Sequence, residues 1–246
     1  MRQDLWWVAP VLTAAALLVF IAYSTWAAFQ NANYYAGPSL GRDYLSPFYS
    51  PCIADNCAFK FGPILGPWYE ISPAIFILVF PLGFRLTCYY YRRSYYRSFW
   101  WAPPACAVAD ARPRYTGESR FPLIFQNVHR YFFYFGVIFA VILTFDAVEG
   151  FRLRGGVGMG LGSLMLLVNA VLIWLYTLSC HSCRHLCGGM LDEFSKHPIR
   201  HRLWKLVTPL NKRHMLYAWL SLFWVAWTDL YIRLVASGTI HDPRFF

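Results

Sequence analysis

Five long apolar stretches constrain this chain more than any other feature. Crossing about 30 Å of hydrocarbon takes roughly 20 helical residues. The stretches lie near Leu5–Phe29, Pro73–Tyr90, Val128–Val148, Val157–Ser182 and Met215–Leu234. The second is the shortest and carries Pro81, which predicts a kink or a tilt. The first is about twice the length of a secretory signal core and lacks a small-residue cleavage site, so it reads as a retained span. The predicted fold is all-α, a polytopic membrane protein with five transmembrane helices that form one membrane domain over residues 1–246. Composition agrees. Only 14% of residues are charged, against about 25% in soluble domains. Aromatic residues make up 20%, as expected where Trp and Tyr belts mark both interfaces.

Basic residues give the orientation, because they accumulate in cytoplasmic loops. The end of the second span and the loop after it carry Arg85, Arg92, Arg93, Arg97, Arg112, Arg114 and Arg120. Between the fourth and fifth spans lie Arg184, Lys196, Arg200, Arg202, Lys205, Lys212 and Arg213. The first connection has only Arg42 and Lys60, and the third only Arg152 and Arg154. This places the N-terminus and both basic loops in the cytoplasm and the C-terminus outside. The net charge of +10 is therefore topological. Membrane lipids are expected partners and nucleic acid is not.

The outer connection, residues 31–72, contains "CIADNC". Cys52 and Cys57 face the oxidising side, so a disulfide is expected, with two buried thiols as the alternative. The inner loop begins "TCYYYRRSYYRSFWW". Tyr and Trp interleaved with Arg suit an interfacial belt, and the density also suits a docking surface for a cytoplasmic partner.

Metal-ligand side chains concentrate in "LSCHSCRHLC", Leu178 to Cys187. If the fourth span is one continuous helix at about 100° per residue, Cys183 and Cys187 lie within about 60° of Cys180. Tyr176, Asn169, Gly162 and Gly158 share that face, and small and polar residues mark the packing side of a membrane helix. His181 and His185 fall on a neighbouring face, about 100–140° away. Cys88 ends the second span, His129 begins the third in "QNVHRYF", and His214 begins the fifth in "NKRHMLYAW". His129 shares a face with Gly136, and His214 with Ala218, Ser221 and Thr228, so both are expected to point inward. Four spans thus bring Cys88, His129, Cys180 with Cys183, and His214 to one depth.

Ionisable groups at membrane depth are functional candidates. Two imidazoles alone suit a bis-His haem. Mixed Cys and His suit zinc or a 2Fe–2S centre with Cys on one iron and His on the other. Taken singly, a membrane Cys is a small apolar side chain and an interfacial His a solvated group. The shared depth argues for a metal centre. The spans are nearly free of midplane charge, with Asp146, Glu149 and Asp229 toward the outer ends, which argues against a transporter. Cys180 and Cys183 have redox C-x-x-C spacing, but on the cytoplasmic side, where disulfides are disfavoured.

The segments "FRLTCYYYRRSYYRSFW", "PPACAV", "QNVHRYF", "LSCHSCRHLCGG" and "WTDLYIRL" resemble the membrane anchor subunit of actinobacterial succinate dehydrogenase, in its mycobacterial five-helix type. The resemblance runs roughly from Trp68 to the C-terminus. It implies a bacterial plasma-membrane subunit with no succinate chemistry of its own. A flavoprotein subunit would oxidise succinate, and an iron–sulfur subunit would pass electrons to the anchor, which binds quinone near the cytoplasmic interface. The complex could form a higher oligomer. The family also implies a Rieske-type 2Fe–2S cluster, which needs two Cys and two His. Cys180, His129 and His214 are the expected ligands, with Cys88 or Cys183 as the fourth. His181 and His185 are a rival pair, or else line the quinone site beside Arg184. Tyr89, Trp100, Trp101 and Tyr131 are candidate walls for that site. A haem b anchor with His129 and His214 as axial ligands, and a cofactor-free structural subunit, remain the alternatives.

Overall fold

The computed structural model describes residues 4–37, 43–51, 71–111, 119–121, 123–153 and 156–246. Cys52 and Cys57 lie outside them. Nine α-helices occupy the described residues: α1 (Val8–Gln30), α2 (Pro73–Ile77), α3 (Val79–Leu86), α4 (Tyr89–Phe99), α5 (His129–Glu149), α6 (Leu161–Leu178), α7 (His181–Gly188), α8 (Pro198–Lys212) and α9 (His214–Ala236). α1, α5, α6 and α9 are each long and apolar enough to cross a bilayer. Residues 73–99 form a fifth crossing only if a pair of helices bent by 80° is taken as one span. The all-α architecture and the positions of the first, third and fifth spans agree with the sequence reading to within three residues.

The sequence predicts a kink or a tilt only in the second span, from Pro81, yet the second and the fourth spans are both interrupted. Neither is continuous. The second breaks at Thr87–Cys88, and α4 leaves at 80°. The fourth starts at Leu161, after a hairpin pairing β3 (Arg152–Leu153) with β4 (Gly156–Val157), and it ends at Leu178. It resumes as α7 after Ser179–Cys180. Cys88 and Cys180 both adopt extended backbone, with ψ of 134° and 146°, and each is the N-cap of the helix that follows. A hydroxyl residue precedes each cysteine. Thr87 Oγ1 donates to the Gly83 carbonyl at 2.8 Å and Ser179 Oγ to the Tyr176 carbonyl at 2.9 Å. Such back-bonding competes with continuation of a helix.

α6 packs between α5 and α9, and α3 packs on α5. Small residues allow close approach. A Cβ on Gly136 of α5 would stand 2.8 Å from the buried Phe84 ring of α3. Gly136→Ala is therefore expected to overpack this contact and cost about 1–3 kcal/mol, read as a lower thermal midpoint of the purified complex.

The opposite end of the bundle is held by buried polar ties. The strands β1 (Tyr35–Ala36) and β2 (Tyr44–Leu45) pair antiparallel beside α9. Tyr44 OH donates to Asp242 at 2.9 Å, and Asp242 also accepts from Tyr231 OH at 2.7 Å and the Gly162 amide at 2.8 Å. The chain after α9 thereby folds back onto the start of α6.

Candidate metal centre

At the end of the bundle where both spans break, four ligand-type side chains meet in crossed pairs. Cys88 Sγ lies 3.3 Å from His214 Nε2. Cys180 Sγ lies 3.0 Å from His129 Nε2. Cys88, Cys180 and His214 are each 1% exposed. The two extended N-cap residues aim their thiols inward, where continuous helices would have carried them along the helix surfaces. His129 and His214 enter from the first turns of α5 and α9.

The other nitrogen of each imidazole is also held. His129 Nδ1 meets Thr87 Oγ1 at 2.8 Å, and His214 Nδ1 meets Ser179 Oγ at 2.7 Å. Aromatic rings fix the imidazole planes. Phe84 stacks on His129 with centroids 5.1 Å apart, and Tyr176 stacks on His214 at 5.1 Å and 7°.

Cys183 does not join this group. α7 begins only after Cys180, so the helical stripe that would put Cys180 in line with Cys183 and Cys187 is broken, and Cys183 lies beside Cys187 on α7. Of the two candidates for the fourth position, Cys88 is the one beside the histidines. To ligate a metal, a Cys thiol must give up its proton.

His181, Arg184 and His185 come together. With Arg130, Ser182 and Trp204 they line an open basin of about 450 Å3. His181 links it to the buried group, its ring centroid 6.4 Å from that of His214. Burial and the neighbouring Arg184 cation lower the basicity of His181. Tyr89 meets His181 edge-on at 6.2 Å. Tyr131, Trp100 and Trp101 are exposed and do not line the basin; Trp101 packs on Trp6.

Arg85 belonged, by sequence, with the cytoplasmic basic residues. The structure buries it instead. Its Nη1 donates to Tyr91 OH at 2.8 Å and Ser221 Oγ at 3.1 Å, and its guanidinium lies over the Tyr176 ring at 4.8 Å. Among the described residues no carboxylate pairs with it. A buried cation needs a counter-charge. A deprotonated Cys88, the thiol that feels the Arg85 charge, would supply one.

Among the described residues, no three His, Cys, Asp or Glu side chains converge on one point as a single-ion site requires. A two-iron cluster takes only two protein ligands per iron. Two thiols and two imidazoles supply that number and those types of donor.

The family model for the actinobacterial succinate dehydrogenase subunit SdhC matches residues 8–238. The chain belongs to this family. It is a membrane-anchor subunit of a succinate dehydrogenase, carried in the bacterial plasma membrane on several spans. Its structure is also similar to a chain of the Mycobacterium smegmatis Sdh1 complex in the apo form, with 51% identity and a TM-score of 0.89. That match covers 100% of this SdhC-family chain and 94% of the other. Among curated proteins none matches.

Proposed function

We propose that this anchor relays electrons from an iron–sulfur subunit to quinone through a 2Fe–2S centre held by Cys88, Cys180, His129 and His214. The observation that carries the reading is the crossed arrangement of these four side chains where two spans break, with Cys88, Cys180 and His214 buried and His129 half-buried. A centre with Cys on one iron and His on the other has a higher potential than an all-thiolate one, which suits the last carrier before quinone. The chain's own part is to hold two thiols and two imidazoles in fixed positions, exclude water, and keep the Arg85 cation near the Cys88 thiol.

In this reading the broken ends of the spans face the cytoplasm, where the flavoprotein and iron–sulfur subunits dock. The quinone head occupies the basin lined by His181, Arg184 and His185. Reduction of a quinone requires two protons and a donor at its carbonyl oxygens, and imidazole and guanidinium N–H groups supply such donors. The haem alternative has less support. A bis-His haem would use His129 and His214 alone and leave the two thiols that meet them without a role.

Iron, acid-labile sulfide and haem content of the purified complex tests this, with EPR of the succinate-reduced sample. The expected result is a signal of low average g that a His129→Ala, His214→Ala double variant lacks. A haem band removed by the same substitutions would instead make the histidines axial ligands. An unchanged spectrum would leave the anchor a structural subunit.

A further inference from the structure

The hydroxyls of Thr87 and Ser179 decide which nitrogen of each histidine is available to a metal. A hydroxyl has one proton to donate and lone pairs with which to accept. Thr87 Oγ1 lies 2.8 Å from the Gly83 carbonyl, and Ser179 Oγ lies 2.9 Å from the Tyr176 carbonyl. A carbonyl oxygen can only accept, so each hydroxyl proton is committed to the helix backbone. The same oxygens lie 2.8 and 2.7 Å from His129 Nδ1 and His214 Nδ1. With its proton spent, each hydroxyl oxygen can only accept there. The proton of each neutral imidazole is therefore on Nδ1, and the lone pair is on Nε2, the atom facing a thiol.

We infer that Thr87 and Ser179 are positioning residues that lock both histidines as Nδ1–H tautomers and make Nε2 the ligating nitrogen of each. The inference rests on the cluster reading above. Metal-bound histidines usually donate their other N–H to a fixed acceptor, which orients the ring and raises its basicity. Here the acceptor is a hydroxyl, and the connections cross. Thr87, which precedes Cys88, orients the histidine that faces Cys180. Ser179, which precedes Cys180, orients the histidine that faces Cys88. Each hydroxyl–cysteine pair thus places one thiol and the imidazole opposite the other thiol, so neither half of the site is built from one break alone.

The test uses the intact complex, purified from a histidine-requiring host fed histidine labelled with nitrogen-15 at Nδ1. Pulsed EPR of the reduced low-average-g signal separates a directly bound nitrogen, strongly coupled, from the remote one. The label is expected only in the weak, remote coupling. A strongly coupled Nδ1 label overturns the inference while leaving the cluster in place. Absence of any low-average-g signal or nitrogen coupling overturns the cluster reading beneath it, a distinguishable result. A redox titration followed by EPR then tests the positioning role. Removing the acceptor makes the imidazole a poorer donor to oxidised iron. The midpoint should therefore rise for Thr87→Val and for Ser179→Ala, and return to the wild-type value for Thr87→Ser. A midpoint unmoved in both acceptor-free variants would sink the hydroxyls' role. If Thr87→Val assembles no cluster, Ser179→Ala and the labelled wild type still decide.

Discussion

Replacing Cys180 with serine is expected to reduce succinate-to-quinone electron transfer to background, while succinate oxidation with an artificial acceptor continues at its normal rate. Cys180 is 1% exposed, and its Sγ lies 3.0 Å from His129 Nε2. As a cluster ligand it must act as thiolate, and a buried serine hydroxyl does not ionise to take that role. The soluble subunits keep their own chemistry, so the two assays should separate completely. Cys183→Ser is the matched control. It lies three residues away, beside Cys187, and touches neither histidine, so quinone reduction should persist near the wild-type rate. Full quinone reduction in Cys180→Ser would remove Cys180 from the ligand set. Loss in Cys183→Ser with retention in Cys88→Ser would move the fourth ligand to the position the helix geometry disfavours.

Much of this architecture was legible in the sequence because membrane helices announce themselves by length and hydropathy. The inward faces of α5 and α9 were legible too. His129 with Gly136, and His214 with Ala218, Ser221 and Thr228, follow the rule that small and polar residues pack against neighbours. The two breaks were not legible. Neither site carries Pro or Gly, the usual interrupters, and an apolar run broken for one residue still has the hydropathy of a span. Treating α6 and α7 as one helix put Cys180 and Cys183 on a common stripe, which the extended backbone at Cys180 separates. A signal was present in the repeated pair of hydroxyl residue and cysteine, Thr87–Cys88 and Ser179–Cys180, at the end of each broken span. Local side-chain bonding by Ser and Thr gives that pair its meaning. Arg85 was hidden for a different reason. Counting basic residues gives topology but cannot tell a snorkelling arginine from a buried one.

A second large effect is expected at the other end of the bundle. Asp229 is 0% exposed and Arg233, one turn on, is 5% exposed. Asp229 Oδ2 accepts from Arg233 Nε at 2.8 Å and from Tyr23 OH at 2.6 Å, and Oδ1 accepts from Ser46 Oγ. Arg233 also donates to the Ala27 carbonyl at 2.9 Å and the Ala32 carbonyl at 2.8 Å. One carboxylate thus ties α9 to α1 and to the turn after β2. Asp229→Ala strands a buried guanidinium and removes the acceptor from two hydroxyls. Breaking a buried pair from one side costs about 3–5 kcal/mol, which for a chain of this size corresponds to a drop of roughly 10 °C in thermal midpoint. Most of that penalty is the unpaired charge and not lost attraction. The Asp229→Leu, Arg233→Met double variant should therefore recover a large part of the midpoint. Thermal denaturation of the detergent-purified complex measures both. Equal losses in the single and double variants would mean that the pair contributes net attraction and is more than mutual compensation. Asp229 lies at the opposite end of the bundle from Cys88, Cys180, His129 and His214, so the low-average-g EPR signal that the proposed centre would give should be unchanged per folded complex in either variant. A signal lost in proportion to the midpoint would show that the two ends fold as one unit with the centre.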